Sequence, residues 1–207
     1  MIMAYLVIVR HGQSEYNRQN KFTGQLDIPL SKFGEKEAIV AGRKMLRENL
    51  RFHNFFTSGL IRAYSTIEII LNELGLPKTQ TLIIRTDAFN ERNYGELEGM
   101  NKTKAAQKYS EEQIHKWRRG FSSKPPGGES LEDTYKRVLA YYQKNVEPLL
   151  KKGKNILMVA HGNSLRALMM YLEKIGKRKI ENIEIPTGIP RMYQLTKRLR
   201  VETVKYL

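Results

Sequence analysis

Cysteine is absent from the 207 residues. That excludes disulfides and thiolate metal sites and fits a cytoplasmic chain. No stretch approaches the roughly 18 consecutive apolar residues that a membrane helix needs, so no membrane partner is expected. The short apolar run near the N-terminus has no basic region before it and no small-residue cleavage site behind it, and it reads as a first strand. Internal repeats, low-complexity segments and Pro/Gly-rich linkers are missing, and residues 1–207 are expected to form one domain. Acidic residues are the scarce charge: 21 Asp and Glu face 36 Lys and Arg, a formal net charge of +15. Such an excess concentrates anionic ligands near the chain. The basic residues are nevertheless spread along the whole sequence, and aromatics are not interleaved with a basic strand as in RNA-recognition folds. No nucleic-acid partner is expected.

Two of the four histidines stand in the same setting. Leu6-Val7-Ile8-Val9-Arg10-His11-Gly12 and Ile156-Leu157-Met158-Val159-Ala160-His161-Gly162 are apolar, strand-forming runs that both stop at His-Gly. Continuous apolar runs mark strands buried on both faces, and open α/β sheets place ligands at the carboxyl ends of such strands. Further strands are expected at Phe52–Phe56, Leu82–Arg85 and, as a closing hairpin or edge strands, at Met192–Leu195 and Val201–Tyr206. Helices are expected from a Ser31 N-cap to Leu46, over Leu60–Leu74, from a capping-box pattern at Ser110 toward Trp117, from a Ser130 N-cap to near Pro148, and over Leu165–Leu172. This alternation predicts an α/β fold: a three-layer α/β/α sandwich with a mostly parallel central sheet. Residues 87–128 are too long for an ordinary connection and read as an insertion, or lid, over the strand ends. His53 is expected in the core, His115 partly exposed, and Trp117 as packing that orients the two arginines after it.

The chemistry follows from residue type. A guanidinium beside His11 offers a planar fork of donors for phosphate. A neutral imidazole held by a carbonyl on one nitrogen leaves the other free as a nucleophile. Alone, Arg10-His11-Gly12 describes a strand-end histidine capping a turn as well as it describes a catalyst. The second His-Gly strand is what tips the balance. Arg62 lies one turn into the helix that follows Thr57-Ser58-Gly59, where helix N-terminal amides also attract anions. Glu91 follows the third strand and would reach the same rim, in place for a general acid and base.

These segments, with Phe22-Thr23-Gly24, Asn90-Glu91-Arg92-Asn93-Tyr94-Gly95, Asn101-Lys102, Trp117-Arg118-Arg119-Gly120, Gly128-Glu129-Ser130-Leu131, Asn163-Ser164-Leu165-Arg166-Ala167 and Ile185-Pro186-Thr187-Gly188, occur in order along nearly the whole chain. Together they resemble the cofactor-dependent phosphoglycerate mutases of the histidine phosphatase superfamily. The resemblance implies interconversion of 3-phosphoglycerate and 2-phosphoglycerate in glycolysis and gluconeogenesis. It implies that His11 becomes phosphorylated, primed by 2,3-bisphosphoglycerate and with no metal, and that Arg10, Arg62 and His161 surround the transferred group. Glu91 is implied as the proton donor and acceptor. The implied substrate contacts are Arg10, Ser14, Asn17, Thr23, Gly24, Arg62, Glu91, Arg92, Tyr94, Lys102, Arg118, Arg119, Gly162 and Asn163. A small phosphorylated substrate and a homodimer are the implied partners. Two other classes compete: a hydrolase of the same superfamily, against which Lys102, Arg118 and Arg119 stand, and a basic nucleic-acid-binding protein without catalysis.

Overall fold

The apolar runs become the middle of a six-stranded sheet. The computed structural model describes residues 2–76, 79 and 81–207. Its strands are β1 (Ile2–Arg10), β2 (Asn54–Ser58), β3 (Ile83–Thr86), β4 (Ile156–Ala160), β5 (Arg191–Thr196) and β6 (Val201–Tyr206). They lie in the order β3-β2-β4-β1-β5-β6. The four strands β1 to β4 run parallel, whereas β5 is antiparallel to β1 and β6 to β5. The expected closing hairpin is therefore present, with β6 as the edge.

The helices are α1 (Glu15–Arg18), α2 (Lys32–Arg47), α3 (Ile61–Glu73), α4 (Lys102–Tyr109), α5 (Glu111–Arg119), α6 (Leu131–Tyr141), α7 (Glu147–Lys151) and α8 (Gly162–Glu173). Side chains alternate across each strand, so β1 and β4 feed two cores at once. Leu6, Ile8, Met158 and Ala160 pack with Val138 of α6 and Leu165 and Leu168 of α8 on one face. Val7, Val9, Leu157 and Val159 pack with Met45 of α2 and Ile67, Ile70 and Leu71 of α3 on the other. A third, smaller cluster of Phe22, Leu97, Ala105 and Ile114 holds α4 and α5 together away from the sheet.

Several ends fall where the chemistry of capping puts them. Ser31 accepts the Gly34 N–H and starts α2, and Ser130 and Asp133 form a reciprocal capping box on α6. Ser110 caps α5 through the Gln113 N–H. Two expectations need correction. The helix after Ser130 does not stop near Pro148: it passes through a π turn at Tyr142–Val146 and resumes as α7 to Lys151. Pro148 sits in the first turn of α7, where a missing N–H costs nothing. His53 is exposed and precedes β2, its ring Nδ1 accepting the Asn155 N–H at 3.0 Å, so it is hydrogen-bonded but outside the core. Between β3 and α6, α5 lies where the Ser110 capping pattern puts a helix, and α4 precedes it as a helix not expected from the sequence. Trp117 packs edge-on against Tyr109 in the small third cluster, and His115 is exposed.

Candidate active site

Strand register brings the two histidines together. Arg10 pairs with Ala160 in the parallel β1–β4 ladder, and the His11 N–H continues it by donating to the Ala160 carbonyl at 3.0 Å. The next residue on each strand is a histidine, and the rings lie 4.8 Å apart between centroids. Glycine after His11 is required by space: a Cβ on Gly12 would stand 2.2 Å from the Gly34 carbonyl oxygen of α2.

His11 Nδ1 is 2.6 Å from the Gly12 carbonyl oxygen. A carbonyl can only accept, so Nδ1 carries the proton and the lone pair lies on Nε2. Burial drives the His11 pKa well below the ordinary histidine value, and the charges of Arg62 and Arg10 push it further, against the Gly12 hydrogen bond. The ring is therefore neutral, as a nucleophile must be. His161 is also fully buried, and burial followed by Arg62 and His11 depresses its pKa too. Its Nε2 meets Ser58 Oγ at 2.6 Å, and its Nδ1 has no hydrogen-bond partner.

The guanidiniums are anchored by backbone. Arg62, fully buried, gives its two terminal nitrogens to the carbonyls of Leu26 and Gly24 at 2.8 and 2.7 Å. Arg10 donates through Nη1 to the Ile185 carbonyl at 2.7 Å. The buried Nε of each has no partner. An unmatched buried donor costs about 1–3 kcal/mol, and two such donors beside a neutral imidazole match an oxyanion in chemistry and charge. Burial lowers the Arg62 pKa to about 10, opposed first by Glu91, and leaves it cationic at neutral pH.

Glu91 faces this pair from the turn after β3. Its Oε1 accepts the N–H groups of Arg92 at 2.8 Å and Asn163 at 3.1 Å. That directs Oε2 toward Gly162 and Arg10: a Cβ on Gly162 would lie 3.6 Å from both Glu91 Oε2 and the Arg10 guanidinium carbon. Glycine at 162 keeps this space open. Tyr94 OH accepts from Arg92 at 2.9 Å and from Asn163 Nδ2 at 3.2 Å. Burial favours its neutral form, but the Arg92 charge and these bonds outweigh it and lower the pKa.

The cleft is lined by Arg10, His11, Asn17, Thr23, Gly24, Arg62, Glu91, Tyr94, Lys102, Arg118, Arg119, Gly162 and Asn163, all expected from the sequence. Lys102 starts α4, and burial and then Arg118 lower its pKa. Arg118 and Arg119 end α5, and Arg119 pairs with Glu184 at 3.2 Å. Three expected residues do not line the cleft. Ser14 caps α1 through the Asn17 N–H and orients Asn17. Arg92 is fully buried and donates to Tyr94 OH, and His161 is fully buried beside His11. Lys21, Phe22, Arg166, Glu184 and Ile185 line the cleft without having been expected. Arg166 carried a signal, three residues after Asn163 and so on the same face of α8, and Phe22 and Ile185 stand in the motif segments quoted above.

The family model of the histidine phosphatase superfamily (branch 1) matches residues 6–197. Proteins named 2,3-bisphosphoglycerate-dependent phosphoglycerate mutase are similar over nearly their whole length. That of Cytophaga hutchinsonii is 50% identical over 99% of this chain and 94% of its own. That of Beijerinckia indica is 48% identical over 98% and 97%, and that of Gloeothece citriformis 41% over 96% and 97%. Among solved structures, Bacillus stearothermophilus YhfR superposes with a TM-score of 0.82 at 21% identity, covering 97% of this chain and 95% of that one. A mycobacterial glucosyl-3-phosphoglycerate phosphatase superposes with 0.77 at 22%, covering 98% and 96%. At such identity these two share the fold. The sheet order, the paired strand-end histidines and the sequence similarity agree: the chain belongs to the histidine phosphatase superfamily, branch 1, among the 2,3-bisphosphoglycerate-dependent phosphoglycerate mutases.

Proposed function

We propose that the protein interconverts 3-phosphoglycerate and 2-phosphoglycerate, a step of glycolysis and gluconeogenesis, through a phosphohistidine at His11. The observation that carries this reading is a neutral His11, its lone pair on Nε2, beside two guanidiniums whose buried Nε donors lack partners. Glu91, Lys102, Arg118 and Arg119 line the same cleft.

The donor set fits 2,3-bisphosphoglycerate. Arg10 and Arg62 would hold one phosphate, and Lys102, Arg118 and Arg119 the remaining anionic groups. When bound there, it supplies the phosphoryl group that primes His11. The chain's own residues account for the rest. Transfer from His11 to a substrate hydroxyl breaks the Nε2–P bond and forms a P–O bond, while Glu91 Oε2 receives the hydroxyl proton. Return of the neighbouring phosphoryl group to Nε2 reverses both events, and Glu91 gives the proton back to the leaving alkoxide. The Gly12 carbonyl fixes the nucleophile's ring, Ser58 fixes that of His161 beside it, and residues 87–128 act as the lid over the site.

The test is direct. Incubation with 2,3-bisphosphoglycerate should leave one acid-labile phosphate on His11, and a coupled assay should show 2-phosphoglycerate formed well in excess of phosphate released. Label on another residue reassigns the nucleophile. Phosphate release matching product formation makes the protein a hydrolase.

A further inference from the structure

Arg166 is 3% exposed in α8, and its hydrogen bonds run to one side-chain amide oxygen and to backbone carbonyls. Its guanidinium donates to Asn163 Oδ1 at 2.9 Å, to the Arg119 carbonyl at 3.0 Å and to the Ile180 carbonyl at 2.7 Å, with the Arg118 carbonyl at 3.4 Å. Arg92, also buried, adds a bond from its Nη2 to the same Arg118 carbonyl at 3.1 Å. A helix leaves its last four carbonyls without intrahelical partners. Here the last two of α5 are taken by guanidiniums from two other segments.

Those carbonyls belong to the residues whose side chains line the far rim of the cleft. Lys102, Arg118 and Arg119 repel one another and the two buried arginines, as the lowered Lys102 and Arg166 pKa values reflect: burial is the larger cause in each, the neighbouring arginine the next. Without a ligand the rim would open unless held. Among the described residues only Glu184, well exposed, pairs with Arg119. The carbonyl clamp supplies the hold, and it needs a fork: three acceptors at fixed angles suit the planar guanidinium and not a single ammonium.

The geometry points to Arg166 as a positioning residue that fixes Arg118 and Arg119 over the cleft, and thereby sets both the affinity for the substrate's far anionic end and the exclusion of water from phosphorylated His11. This rests on the function proposed above. Loss of that exclusion has a defined chemical result. A water oxygen bonds to phosphorus as the Nε2–P bond breaks, one water proton passes to Glu91, and inorganic phosphate leaves.

The experiment compares the full-length protein with Arg166→Gln and Arg166→Lys, measuring 2-phosphoglycerate and phosphate in the same reaction. In Arg166→Gln the KM for 3-phosphoglycerate should rise about tenfold, kcat should fall about threefold or less, and phosphate released per product should rise several-fold. Arg166→Lys should show the same pattern, weaker. A fall in kcat with KM and the phosphate-to-product ratio unchanged overturns the inference. Hydrogen exchange on the wild-type protein tests the clamp without any variant: the amides of Arg118, Arg119 and Gly120 should exchange as slowly as those of α8. Exchange at the rate of an exposed helix end overturns the clamp, even if both variants fail to fold. A wild-type protein without mutase activity would instead refute the proposed function and leave the exchange result to judge the clamp.

Discussion

The pocket around His11 and the rim at 102–119 both gather positive charge, but they are built differently. In the pocket, Arg62, His11, His161 and Glu91 are at most 9% exposed. They hang from strand ends and helix starts of a sheet buried on both faces; backbone carbonyls hold His11 Nδ1 and the terminal nitrogens of Arg62, backbone amides hold Glu91 Oε1, and the Ser58 hydroxyl meets His161. The rim stands on α4 and α5, which share a small core of Phe22, Leu97, Ala105 and Ile114, and its Lys102, Arg118 and Arg119 are half-buried. The difference follows the task. The transferred phosphoryl group is the same on every turnover, so its surroundings gain from being rigid and dry. The rest of the substrate must enter and leave, so its contacts sit on a separately packed element.

If that division is right, substitutions in the pocket should act on kcat and those on the rim on KM. Glu91→Gln keeps an oxygen for the Arg92 and Asn163 amides but cannot take a proton. It should cut kcat by about 10²–10⁴-fold with little change in KM, and a loss below tenfold would erase the distinction from the rim. Lys102→Met removes one half-buried cation. Steady-state kinetics should show KM raised by about tenfold with a smaller change in kcat, and a fall mainly in kcat would mean that the rim takes part in the chemistry.

The division also sets a pH dependence of stability. His11 and His161 have folded-state pKa values depressed by burial, whereas in the unfolded chain they titrate near the ordinary 6.5. Below that value the unfolded state binds protons that the folded state does not. Stability from these two groups is therefore present above pH 6.5 and declines as pH falls through it, by up to about 1.4 kcal/mol per pH unit for each histidine. Urea melts at pH 7.5 and 5.5 should show the decline, and His11→Asn should lessen it. A decline unaffected by that substitution would place its origin outside the pocket.

Much of this was legible in the residues. Uninterrupted apolar runs ending in His-Gly mark β1 and β4, because only a strand covered on both faces tolerates them. Arg62 and Glu91 were legible through their short motifs. Helix α4 was not, because Lys102–Tyr109 buries only Ala105 and leaves almost no apolar stripe to read. His53 was misplaced because an aromatic-rich segment hides where a strand begins. Glu184 and Lys21 reach the cleft from loops, where no periodicity says which way a side chain faces. Ser14, Arg92 and His161 are buried beside the cleft without lining it, a distinction that residue type does not carry.

By itself the amino-acid sequence determined which segments could be buried and which side chains could bind phosphate, since apolar periodicity and functional-group chemistry are local properties. The folded chain alone decided that Arg10 pairs with Ala160, that Gly12 takes the His11 proton's hydrogen bond, and that two buried guanidiniums close on the end of α5. Each of those outcomes depends on strand register and helix placement. Register and placement are settled by the packing of segments from opposite ends of the chain, as between Ile2 and Thr196 of the β1–β5 pair, and no local window contains both partners.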